Sequence, residues 1–72
     1  MTNQQIQQIA IRELEKRKFK VVHSHFEFPE SDITIYHLSK RTKTGAIHAT
    51  IDGEGMVNGE SIYEFISTLT NN

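Results

Sequence analysis

From Ala46 to Asp52 the chain alternates Ile47, Ala49 and Ile51 with His48, Thr50 and Asp52. Successive side chains of a strand point to opposite faces, so this period of two specifies a strand with one dry face and one wet face. Such a strand needs a neighbour to pair its main chain and an apolar layer over its dry side. The neighbour precedes it in sequence. Ile33 to Lys40 is rich in β-branched and aromatic residues, and Thr42-Lys43-Thr44-Gly45 is the turn between the two, its glycine tolerant of positive φ. Centring the turn on Lys43-Thr44 places Tyr36 opposite Ile51, Leu38 opposite Ala49 and Lys40 opposite Ile47. Tyr36, Leu38, Ile47, Ala49 and Ile51 then share the core face.

A third strand is expected over Phe19 to Phe28, followed by a turn at Pro29-Glu30-Ser31-Asp32. A five-residue first loop sets Phe26 opposite Tyr36 and brings Phe26 and Phe28 onto the core face. Helices bracket the strands. Thr2 with Gln5 three residues on is a capping-box pattern, and Ile6, Ile9, Ala10 and Leu14 follow at helical spacing. This helix should span about residues 3–17 and end on Lys16-Arg17-Lys18, cations that complement its dipole. Gly53-Glu54-Gly55 breaks the third strand. Asn58 is the expected N-cap of a second helix, whose buried stripe is Ile62, Phe65, Ile66 and Leu69. The fold class is therefore α+β: helix-strand-strand-strand-helix, with both helices on one face of a three-stranded antiparallel sheet. Seventy-two residues make this a single domain, 1–72.

Several function classes find no support. There is no cysteine, so thiolate and disulfide chemistry is excluded. The polar, uncharged start Met1-Thr2-Asn3-Gln4-Gln5 is unlike a signal peptide, and no apolar run approaches the ~20 residues that cross a bilayer. The expected location is the cytoplasm. Ser, His and Asp are present without a GxSxG-like elbow, and the glycines match neither a P-loop nor a dinucleotide fingerprint. Asp52-Gly53-Glu54-Gly55 lacks the ligand spacing of a calcium loop and reads as an acidic turn. No catalytic residue, cofactor or dedicated metal ligand is nominated, and the chain is not expected to be an enzyme.

Two patterns point toward binding. The register above turns His23, His25, His37 and His48 away from the helices, with His25 opposite His37, His48 opposite Ser39, and His23 facing Ser39 from the other side. Neutral imidazoles on an open sheet can hold a transition metal, or serve simply as polar residues on a wet face. Val21, Ile33 and Ile35 share that outer face, and apolar residues on an uncovered sheet favour a partner or a weak homodimer over metal. The second pattern is charge. Residues 1–43 hold eight basic and five acidic groups, whereas residues 44–72 hold no Lys or Arg and four acids. The fold should gather Lys16, Arg17, Lys18, Lys20, Lys40, Arg41 and Lys43 at one end, and Glu27, Glu30, Asp32, Asp52 and Glu54 at the other.

In its order of elements over the whole chain the sequence resembles the double-stranded-RNA-binding domain. That family grips phosphates from a lysine-rich start of its second helix and touches the minor groove with helix one and the first hairpin loop. Here the second helix opens Asn58-Gly59-Glu60-Ser61 without a lysine, and the first loop, Pro29-Glu30-Ser31-Asp32, is acidic. Nucleic-acid contact would fall to the basic pole. The leading expectation is a non-catalytic binding or regulatory module working by protein–protein contact, with nucleic-acid binding as the alternative.

Overall fold

The computed structural model describes residues 2–27 and 33–70. The elements run α1 (Asn3–Lys16), β1 (Lys20–Phe26), β2 (Thr34–Thr42), β3 (Gly45–Ile51) and α2 (Ile62–Thr70). The strands form one antiparallel sheet in the order β1-β2-β3. This is the small α+β fold the patterning predicts.

Helix α1 begins with the capping box. The Gln5 N–H donates to Thr2 Oγ1 at 3.2 Å and the Thr2 N–H to Gln5 Oε1 at 2.8 Å. Its buried stripe is Gln7, Ala10, Ile11 and Leu14, so Ile6 and Ile9 lie at the margin and a glutamine lies within. Gln7 fits there because its Nε2 donates to the carbonyls of Thr34 and Asp52, both at 2.7 Å, tying α1 to the entry of β2 and the exit of β3. A buried amide placed between two carbonyls is stabilising where an unpaired one would be costly.

The helix ends in a Schellman motif, with Phe19 N–H donating to Leu14 C=O and Lys18 N–H to Glu15 C=O, both at 3.1 Å. Lys18 takes the left-handed position, φ 76°, that glycine usually fills. This reversal drops Phe19 into the core beside Leu14, both essentially fully buried.

The second hairpin pairs as expected: Tyr36 with Ile51, Leu38 with Ala49, Lys40 with Ile47, and Thr42 with Gly45 across a two-residue turn. The core joins Leu38, Ala49 and Ile51 to Ala10, Ile11 and Leu14 of α1, Ile62 and Phe65 of α2, and the flanking Phe19 and Val57, with Tyr36, Ile47, Ile66 and Leu69 packed around them. Phe19 and Phe65 meet edge to face at 6.2 Å between centroids. Between β3 and α2 the chain turns at Gly55, φ 83°, where a Cβ would collide with Ile6.

Helix α2 corrects one expectation. Asn58 is not its N-cap. Ser61 immediately precedes the helix and its Oγ accepts the Glu64 N–H at 3.2 Å. Asn58 instead binds the edge of β3.

The first hairpin differs from the expected register. Ser24 pairs with Tyr36 and Phe26 with Thr34, so the strand has slipped by two residues, and a bulge at Val22 separates the pair Val21–Leu38 from the pair His23–His37. A slip of two preserves which face each residue takes, but a bulge reverses it. His23 and His25 therefore stay on the outer face, while Val21 crosses to the side of Leu38. Phe26 is on the helix side, as expected, yet 59% exposed. Phe28 lies outside the described residues.

Candidate interaction surface

Strand β1 carries the most unusual surface of the molecule. All seven of its residues are exposed, on both faces and along the edge. Val21, Val22 and Phe26 are 42%, 65% and 59% exposed. The buried core draws on β2 and β3 and includes no residue of β1. An edge strand with apolar side chains and open main-chain groups is a ready template for another strand.

The opposite edge is occupied at its C-terminal half. Asn58, at φ 51°, donates its N–H to Thr50 C=O at 2.9 Å and accepts the Thr50 N–H on Oδ1 at 2.9 Å. Its Nδ2 also donates to His48 C=O at 3.2 Å. One residue thus serves the outward main chain of β3 at two successive sites.

On the outer face the structure brings together three of the four histidines. The ring centroids of His23, His25 and His37 lie 5.0–5.6 Å apart with near-parallel planes. His37 Nε2 is 3.3 Å from His25 Nδ1, and His37 Nδ1 is 3.4 Å from Thr50 Oγ1. The partners by pairing are not those expected: His23 stands across from His37 and His25 across from Ile35, while His48 does pair with Ser39. His48 is outside the stack. Among the described residues no group of three or more His, Cys, Asp or Glu side chains is placed to hold a metal ion. The apolar content of this face is smaller than the sequence suggested, since Val21 has left it and Ile35 is half-buried. Ile33, 43% exposed, sits against Gly53.

The basic residues do fall toward one end of the sheet. Lys20 pairs with Ser39, Lys40 sets its Nζ 5.9 Å from the centre of the Phe19 ring, Arg41 pairs with Ala46, and Lys43 is in the turn. Two members of the set are engaged on α1. Glu13 is bridged by Arg17 Nη1 at 3.0 Å and by Lys16 Nζ at 3.4 Å. The Arg17 hydrogen bond, and then the charge of Lys16, hold the Glu13 carboxyl below the usual carboxylate range. At the other end Glu27, Asp52 and Glu54 line one shallow hollow with Asn3, Ile33 and Gly53. Asp52 Oδ1 accepts the N–H groups of Glu54 and Met56, so the Asp52 carboxylate holds this acidic turn by its main-chain N–H groups. Glu30 and Asp32 lie outside the described residues.

Among the described residues no helix is long and apolar enough to cross a membrane. Comparison with protein-family models, with curated proteins and with solved structures yields no match.

Proposed function

We propose that the protein is a non-catalytic binding module acting by protein–protein contact, with β1 as the contact element. The observation that supports this most is the exposure of the whole of β1, Val22 and Phe26 included, in a domain whose other edge is occupied by Asn58. Main-chain pairing along such an edge supplies affinity, and pockets for alternate side chains supply choice of partner. The basic pole gives nucleic-acid binding less support, because Glu13 offsets one of the two charges of Lys16 and Arg17. Helix α2 adds no lysine or arginine to it.

Two variants separate the readings. Lys18, Lys40 and Arg41 together changed to Gln test the pole, and Val22→Asp with Phe26→Asp tests β1. The expected result is no retardation of duplex RNA or DNA at ~50 mM salt with tens of micromolar protein, since the acidic end repels the backbone. Retention of a protein partner from nuclease-treated host extract should be lost in the β1 variant and kept in the pole variant. Retardation that weakens with salt and vanishes in the pole variant would overturn the reading.

A further inference from the structure

We propose that the partner of β1 is a second copy of this chain, paired antiparallel through the open edge so that two three-stranded sheets become one sheet of six. The inference rests on the reading of β1 as a protein-contact element and names its occupant.

The main chain sets the geometry. Asn58 bonds the Thr50 N–H and C=O from outside the sheet, so Thr50 and its neighbour His37 are not hydrogen-bonded to each other, and the main chain of His37 is directed to β1. Glu27 N–H donates to Ile33 C=O at 2.8 Å, which gives the same phase at the other end of the hairpin. Antiparallel pairs alternate between bonded and non-bonded. His23–His37 and His25–Ile35 are therefore bonded pairs, and Ser24 and Phe26 turn their N–H and C=O toward the open edge. The bulge at Val22 ends this regular stretch on one side. A two-fold axis at His25 uses only the regular part: Ser24 meets Phe26 of the partner subunit on each side of the axis, giving four main-chain hydrogen bonds. The large exposed Phe26 ring then lies beside a small serine on the helix-side face.

Charge points to a copy of this chain and not to a partner of one sign. The start of β1 is flanked by Lys18 and Lys20, and its end by Glu27 near Gly53, with Asp52 and Glu54 beyond. Antiparallel pairing of identical chains sets each basic end beside an acidic end, on both sides of the axis at once. A uniformly charged partner would meet repulsion at one of the two. So short a paired stretch buries little surface, which makes the dimer weak and concentration-dependent.

The chain has no cysteine, so a single introduced thiol reports the register. Across the axis the two copies of residue 25 form a non-bonded pair with Cα atoms about 4.5 Å apart, within disulfide reach. His25→Cys should oxidise to a covalent dimer at high protein concentration. Ala46→Cys, at an exposed site on β3, should do so far more slowly. Sedimentation of the unmodified chain from ~10 µM to ~1 mM should show mass rising from one copy toward two. Phe26→Lys, at an exposed site, should hold it at one copy. Equal oxidation rates at the two thiol positions, or a constant monomer mass throughout, would overturn the proposal. A constant monomer that still loses a host partner in the β1 variant would remove self-pairing and leave the contact-module reading standing, whereas nucleic-acid retardation would remove that reading itself.

Discussion

Asn58 and Thr50 exchange two hydrogen bonds, the Asn58 N–H donating to the Thr50 carbonyl and the Thr50 N–H to the Asn58 side-chain oxygen, each 2.9 Å long. The arrangement imitates a fourth strand one residue long. It occupies main-chain groups of β3 at Thr50 and His48, whereas all of β1 is exposed. Asn58→Ala should cost about 1–2 kcal/mol, from lost hydrogen bonds and from a left-handed φ that alanine tolerates poorly. Asn58→Gly accepts the φ but still lacks the amide. Thr50 amide exchange should accelerate in both variants, and unchanged exchange would show that the edge is protected by something else.

Lys18 occupies the left-handed position of the Schellman motif at φ 76°. Lys18→Gly should therefore stabilise the domain by about 1 kcal/mol in denaturant melts, because glycine carries no Cβ penalty there. A loss of stability would show that the lysine side chain contributes more than its backbone conformation costs.

Gln7 is 4% exposed and bridges Thr34 and Asp52. Gln7→Leu preserves volume but removes the Gln7 donor from the Thr34 carbonyl and leaves the Asp52 carbonyl with the Gly55 N–H, and should cost about 1–3 kcal/mol. Combined with a change on α2, Gln7→Leu should give a loss in denaturant melts equal to the sum of the two single losses, since the bridge joins α1 to β2 and to the residue after β3.

Phe65 is 6% exposed and packs edge to face on Phe19. Phe65→Ala should cost about 3–5 kcal/mol, enough to unfold much of the population of so small a domain. A loss below about 1 kcal/mol would mean that the core closes over the space.

Glu13 should titrate below the usual carboxylate range, and Arg17→Gln should bring it back up. A carboxyl whose pKa is lowered by folding adds stability above its unfolded value, and that stability is lost as pH falls through the folded value. NMR titration of the Glu13 carboxyl in the two proteins checks both the direction and the partner.

How much of this was legible in the sequence differs between the two hairpins. The second could be read residue by residue, because Ile47, Ala49 and Ile51 have a core to face and a two-residue turn admits one register. The first could not, because β1 places no residue in the core. No packing pattern distinguished Phe26 opposite Tyr36 from Phe26 opposite Thr34, and nothing local announced the bulge at Val22. The buried stripe of α2 was legible for the same reason that β3 was. That of α1 was misread at two positions, with Ile6 and Ile9 expected where Gln7 and Ile11 are buried, since a glutamine becomes a core residue only when two carbonyls from distant parts of the chain arrive beside it.

The sequence by itself determined the order of elements, the face of α2, the pairing of β2 with β3 and the placing of the basic residues toward one end. All of these follow from local periodicity, turn chemistry and the sign of charge. Tertiary structure alone decided that His23, His25 and His37 would stack without His48, that Asn58 would serve a strand edge and leave the helix cap to Ser61, and that β1 would stand bare. The reason is reach. The core joins α1 and α2 to β2 and β3 and takes no residue from β1, and whether an exposed valine or phenylalanine has anything to pack against depends on contacts far away in the chain, which no local pattern records.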